Sequence, residues 1–206
     1  MIARFGRFGA ALIILVLLQT IIIGWIVADR MALLRSPDTV TLKTEPVDPR
    51  DLFRGDYVTL AYGISRLSLE SLTGDKSFSD GDRVYVALVP EGADWRAAGV
   101  WRDYPKNAGD SKIIRGRITS VARNVPRVRA LPRSKNVEEV PCEECVMLTV
   151  AYGIESYFVP EGQGRKLENA RNAQALSVDV ALARNGEAAI KGLRLDGELL
   201  YEEPLL

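Results

Sequence analysis

Gly55-Asp56-Tyr57-Val58-Thr59-Leu60-Ala61-Tyr62-Gly63-Ile64-Ser65 is followed about ninety residues later by a weaker copy. There, Thr149-Val150-Ala151-Tyr152-Gly153-Ile154 answers Thr59-Leu60-Ala61-Tyr62-Gly63-Ile64. A second echo keeps the same order: Val84-Tyr85-Val86-Ala87-Leu88, closed by Gly92, against Val178-Asp179-Val180-Ala181-Leu182, closed by Gly186. Two ordered matches at nearly one spacing predict a duplicated β-rich unit, and internal repetition constrains architecture before any single element does.

Within the first copy the residues alternate. Val58, Leu60, Tyr62 and Ile64 share one face of an extended strand and Tyr57, Thr59, Ala61 and Gly63 the other, so the first set is the expected core side. Gly63 in a strand suggests a bulge or a close backbone approach. Upstream, Thr39 to Thr44 alternates as another strand, and Pro46 and Pro49 mark a connector. Downstream, Val84 to Val89 and Trp95 to Trp101 flank Pro90-Glu91-Gly92-Ala93 as a predicted hairpin, and Ile113 to Ile118 forms a further strand. In the second half, residues 146–154 form a strand and 165–175 a short helix. Two alternating runs around Asn185-Gly186 carry the strongest short-range hairpin signal, and residues 199–201 pair briefly after Asp196-Gly197.

Residues 8–28 carry no charge, and at 1.5 Å per residue such a helix matches a hydrocarbon core about 30 Å thick. Arg4 and Arg7 precede it, Asp29 and Arg30 follow, and Trp25 stands near the far end, where indoles favour the interface. The alternative is a signal peptide cleaved after Ile26-Val27-Ala28, but the run exceeds the usual 7–15-residue apolar region. The expected layout is a cytoplasmic tail (1–7), a transmembrane helix (8–28), a juxtamembrane linker (29–38) and an exported β-rich domain (39–206). That domain divides into unit 1 at about 39–121, a basic linker at about 122–139 and unit 2 at about 140–206.

Composition removes several chemistries. The 206 residues include no histidine, so Ser-His-Asp and Cys-His catalysis are excluded and a zinc site would have to use Cys142, Cys145 and carboxylates. Lys plus Arg equals Asp plus Glu at 27 each, which gives no overall pull toward nucleic acid. Residues 112–135 hold eight basic side chains and no acidic one. Such a run can dock on anionic lipid or an acidic partner, or be a solvated linker balanced by Glu138, Glu139, Glu143 and Glu144. Cys142-Glu143-Glu144-Cys145 precedes a strand, with no helix N-terminus evident to lower a thiol pKa. A local disulfide pinning a turn is the expectation there, with thiol redox work as the alternative.

Gly55-Asp56-Tyr57-x-x-Leu60-x-Tyr62 resembles the signature of the GDYxxLxY family of bacterial membrane-anchored proteins at every defined position. The likeness extends upstream through Pro46 to Arg54. It returns in Tyr152-Gly153-Ile154-Glu155-Ser156-Tyr157-Phe158-Val159-Pro160-Glu161-Gly162. The resemblance implies a single-pass anchor in the bacterial inner membrane, a periplasmic β barrel or sandwich, and action beside a polytopic membrane protein. It transfers no catalytic residue, cofactor or metal.

The function expected is therefore a non-enzymatic binding or accessory module. The motif residues Gly55, Asp56, Tyr57, Leu60 and Tyr62, with Tyr152, Gly153, Ile154, Glu155, Pro160, Glu161 and Gly162, then serve structure or recognition. The alternative is a histidine-free hydrolase. It would use either paired carboxylates on a glycan, drawn from Glu155, Glu161 and Glu168, or a Ser–Lys peptidase pair built on Ser65.

Overall fold

No proline precedes Pro37, so nothing in the first 36 residues removes a helical hydrogen bond. In the computed structural model helix α1 accordingly runs Ile2–Leu34, and its Gly9–Leu34 stretch is long and apolar enough to cross a membrane. The structure describes residues 2–46, 57–107, 109–130, 137–140, 142, 145–158 and 164–204. The linker expected at 29–38 is therefore helical as far as Leu34. Leu33 and Leu34 pack on Ala181 and Ala189, and the Ser36 hydroxyl donates to the Leu182 carbonyl at 2.6 Å. The helix end is thereby seated on the domain.

The domain opens with β1 (Thr39–Glu45), β2 (Tyr57–Thr59) and β3 (Ala61–Tyr62), then a 3-10 turn at Gly63–Ser65. Next come β4 (Arg66–Ser68), β5 (Thr73–Gly74), β6 (Arg83–Glu91), β7 (Asp94–Trp101) and β8 (Lys112–Arg123). After β9 (Arg127–Ala130), β10 (Val137–Val140), β11 (Val146–Ala151) and β12 (Ser156–Phe158) comes helix α2 (Gly164–Asn172). The chain ends with β13 (Leu176–Leu182), β14 (Ala188–Leu195) and β15 (Glu198–Glu202). The protein is mainly β, and its sheet curls into a half-barrel.

Two strand orders carry the fold: β15-β14-β13-β1-β3 and β4-β11-β8-β6-β7-β5. β12 pairs with β2, which is separated from β3 at Leu60, whose N–H donates instead to the Glu155 carbonyl at 2.8 Å. Each sheet contains a crossover: the β13–β14 hairpin lies on β1 and the β6–β7 hairpin on β8. β13 pairs with β1, setting Val180 opposite Val40, and β6 pairs with β8, setting Val86 opposite Ile114. Val86 and Val180 are matching positions of the sequence echo.

The same crossing recurs at the motifs. β2, before the first tyrosine turn, pairs with β12, after the second, and β11, before the second, pairs with β4, after the first. Val58 faces Tyr157 in one ladder and Leu148 faces Leu67 in the other. Val58 and Leu148 each stand four residues before their tyrosine, and Tyr157 and Leu67 each five after.

In strand order β8 occupies the place that β1 holds in the other sheet. The stretch expected as a basic linker, about 122–139, overlaps the antiparallel β9–β10 ladder, whose register sets Glu138 opposite Arg129. One expectation needs revision. Gly63 opens a 3-10 turn, not a bulge, and the nearest atom to a Cβ built there is Glu45 Oε1 at 3.7 Å.

One apolar cluster lies between the sheets, and the alternation predicted for the motif is realised in it. Val58, Leu60, Tyr62 and Ile64 are buried, as are Leu148, Val150, Tyr152 and Ile154. Burying each aliphatic side chain of this kind contributes about 1.5–3 kcal/mol.

Candidate functional site

The two tyrosine turns meet at the centre of the cluster. The Tyr62 hydroxyl donates to the Ile154 carbonyl at 2.6 Å and the Tyr152 hydroxyl to the Ile64 carbonyl at 2.7 Å, so each ring reaches across to the backbone of the other turn. Burial, and after it the charge of Glu155, push both phenols above their ordinary value of 10.0. They are neutral donors here, not proton-transfer groups at neutral pH.

Each turn is closed by a side chain three residues beyond its tyrosine. Ser65 Oγ accepts from the Tyr62 N–H at 3.2 Å. In the second turn the two Glu155 oxygens accept from the Tyr152 and Gly153 N–H groups, the latter at 2.9 Å. Gly153 holds φ at +82°, a left-handed conformation that side-chain-bearing residues seldom adopt. Gly116 on β8 allows the second ring its place, because a Cβ there would run into Val150 Cγ1 and approach Tyr152 Cδ1 and Cε1 to 3.0 Å.

Arg171 on α2 is the residue that sequence reasoning missed. It is 1 % exposed. Its Nη1 donates to the Thr59 carbonyl, and Nε and Nη2 donate to Asn172 Oδ1 at 3.1 and 3.0 Å. Burial pushes the guanidinium below its ordinary value, opposed by the charge of Glu168. The signal available in the sequence was spacing: Leu167 and Arg171 stand four apart on one helical face, and Leu167 is buried too.

The remaining expected site residues are dispersed. Leu60 is buried beside Tyr62, and Tyr57 contributes backbone to β2. Gly55, Asp56, Pro160, Glu161 and Gly162 lie outside the described residues. Ser65 and Glu155 are engaged by backbone N–H groups, and among the described residues no lysine amine bonds to Ser65. Glu168 is half-buried on α2. The hydrolase alternative gains no observation from this arrangement.

Cys142 and Cys145 are joined as a disulfide, Cα to Cα 5.4 Å. Cys145 lines an open groove of about 750 Å³ with Arg66, Glu70, Pro126 and Met147. Glu70 and the two sulfurs lie within 4.8 Å of one another. Metal binding needs thiolates, so the oxidised pair does not fit an ion.

Two clefts flank the exit of α1. One, of about 220 Å³, is lined by Arg30, Gly153, Ile154, Tyr157, Phe158, Ile190 and Glu203. Tyr157 donates its hydroxyl to Glu203 Oε2 at 3.3 Å and meets the Tyr201 ring edge-on at 5.8 Å. Burial, then Glu203 and Tyr201, push its phenol up. The other cleft, about 300 Å³, includes Asp29, Arg35, Arg184 and Asn185.

An apolar helix docked on a curled β domain, with two tyrosine turns bonded to each other at its centre, defines a scaffold in which the signature supplies the joint. The chain belongs to the GDYXXLXY protein family, whose model matches residues 19–193. Comparison with curated proteins and with solved structures yields no match.

Proposed function

We propose that the protein is a membrane-anchored, extracytoplasmic binding module that acts beside a polytopic membrane protein of the bacterial inner membrane. The observation that carries this reading is β15. All five of its residues are exposed, Leu199, Leu200 and Tyr201 among them, and it forms the edge of its sheet. Edge strands with apolar side chains readily accept a partner strand or surface. The next residue, Glu203, lines the same cleft as Arg30 at the end of the apolar helix. The binding edge is thus held at the membrane surface, where a polytopic partner presents its loops.

Three further points support the reading. Among the described residues of the two motif stretches, the Tyr62 and Tyr152 hydroxyls, Ser65 Oγ and the Glu155 carboxylate bond to backbone groups. The Cys142–Cys145 disulfide suits an oxidising compartment. The crossed ladders suit two copies of one ancestral unit that have exchanged hairpins, which makes a rigid platform for the edge.

The test is photocrosslinking from position 199 in the full-length protein in its native membrane. The expected result is one discrete adduct with a membrane protein, abolished by Leu200→Asp while the domain remains folded. Labelling of lipid alone, or an adduct indifferent to Leu200→Asp, overturns the proposal.

A further inference from the structure

We infer that the cleft between the end of α1 and the β13–β14 turn holds the headgroup of an anionic phospholipid, with the Arg35 and Arg184 guanidiniums on its phosphodiester. The inference rests on the reading of α1 as a span and adds a lipid-selective contact to it.

The depth of the cleft follows from the helix. No charged residue lies between Arg7 and Asp29, so the hydrocarbon boundary falls close to Asp29. From Asp29 to Leu34, where α1 ends, the helix rises about 7.5 Å. The headgroup layer of one leaflet is about 5–8 Å thick, so this last stretch crosses it. Asp29 and Leu33, one turn apart, line the cleft from the helix side, and Arg184, Asn185 and Glu187 line it from the turn. Its volume is about 300 Å³. Leu33 is also buried against Ala181 and Ala189, which holds the turn at this height.

Charge selects the ligand. Of the two carboxylates in the cleft, Glu187 is taken by Arg115 at 3.3 Å, which leaves Asp29. Arg35 and Arg184 are exposed, and among the described residues neither pairs with a carboxylate. Two guanidiniums therefore face one unpaired carboxylate, and the surplus is positive. The turn is held without the Arg184 side chain. The Gly186 N–H donates to the Ala183 carbonyl at 2.9 Å, the Ala183 N–H to the Glu187 carbonyl at 2.8 Å, and the Glu187 N–H to Asn185 Oδ1 at 2.9 Å. This leaves the Asn185 NH2 group as a further donor. Guanidiniums grip phosphate oxygens through parallel bonds, and basic pockets beside transmembrane helices bind anionic headgroups. Asp29 can accept from a headgroup hydroxyl, which phosphatidylglycerol carries and phosphatidylcholine does not.

The experiment uses the full-length protein in detergent micelles. Native mass spectrometry, with phosphatidylglycerol or phosphatidylcholine added at equal concentration, reads the lipid retained per chain. The expected result is one bound phosphatidylglycerol at several-fold higher occupancy than phosphatidylcholine. Changing Arg35→Gln and Arg184→Gln together should lower that occupancy several-fold, and Arg30→Gln, in the other cleft, should leave it unchanged. If the double variant loses the native circular dichroism, the single variants, each expected to lower occupancy, carry the test. Equal retention of the two lipids overturns the inference, and so do folded variants that retain phosphatidylglycerol as the native chain does. Displacement by an equal concentration of the deacylated headgroup, glycerophosphoglycerol, assigns the cleft to a soluble phosphodiester and overturns the lipid reading. Flotation tests the span separately. A native chain that fails to float with phosphatidylcholine vesicles overturns the span, whereas flotation without lipid selectivity overturns only the headgroup site.

Discussion

Tyr62 donates its hydroxyl to the carbonyl of Ile154, 92 residues along the chain, and Tyr152 returns the same bond to Ile64, 88 residues back. The family signature ends on the first of these tyrosines. Its spacing puts Leu60 and Tyr62 on one inward face, and the bond explains why a phenol, and not merely a ring, is useful there. Each bond supplies a buried carbonyl with a donor that water cannot replace.

Tyr62→Phe keeps the ring and strands the Ile154 carbonyl, and should cost about 1–3 kcal/mol of unfolding free energy. Tyr152→Phe should cost a similar amount. Because both bonds tie the same two turns, the double variant should depart from additivity by at least about 0.5 kcal/mol. Urea unfolding of the full-length protein in detergent measures all three.

The same pair sets a limit at alkaline pH. Both phenols have folded pKa values raised above 10.0, so below that pH neither state ionises and their stabilisation is fully present. As pH rises past about 10, the unfolded chain releases protons that the folded one retains, and stability falls until the folded values are reached. The loss is at most about 1.4 kcal/mol per pH unit for each tyrosine. Urea midpoints on either side of pH 10 should fall more steeply for the native chain than for the double phenylalanine variant.

Gly116→Ala should force the Tyr152 ring and Val150 aside. Overpacking of this kind costs about 1–3 kcal/mol. Near-UV circular dichroism should report the moved tyrosine and thermal unfolding the loss of stability. Gly24→Ala, where nothing lies within 4 Å of a built Cβ, should leave both unchanged.

Arg171→Met should weaken the attachment of α2 to β2, because the Thr59 carbonyl loses its charged donor. The expected cost is about 2–3 kcal/mol. Hydrogen exchange at β2 amides should accelerate more than exchange at β13, whose ladders with β1 and β14 do not involve the guanidinium.

Orientation has its own test. Ala122 is exposed on β8, so Ala122→Cys in the proposed topology should react with a membrane-impermeant maleimide in intact spheroplasts. Reaction only after permeabilisation would place the domain in the cytoplasm.

Much of this architecture can be read from residue patterns. The uncharged run gives α1, the alternation of Val58, Leu60, Tyr62 and Ile64 gives their burial, and Asn185-Gly186 sits at the β13–β14 turn. These features are local, so periodicity records them. The pairing of β13 with β1 and of β6 with β8 is not local. Val86 carries the same alternation whether β6 lies on β1 or on β8, and only the three-dimensional closure selects β8. Arg171 escaped notice for a related reason: a charged residue on a polar helix reads as solvated until the carbonyl it serves is in place.

The pairing of β1 with β13 bears on how the chain is made. β1, the first strand after α1, has β3 on one edge, but its other edge is covered only when residues 176–182 have been synthesised, and Leu33 and Leu34 find their partners only with the β13–β14 hairpin. Until then the nascent polypeptide has an open seam beside the end of α1, and long-range closure of this sort is slow. A truncated product should therefore persist as an unclosed, protease-sensitive chain, not as half a working protein.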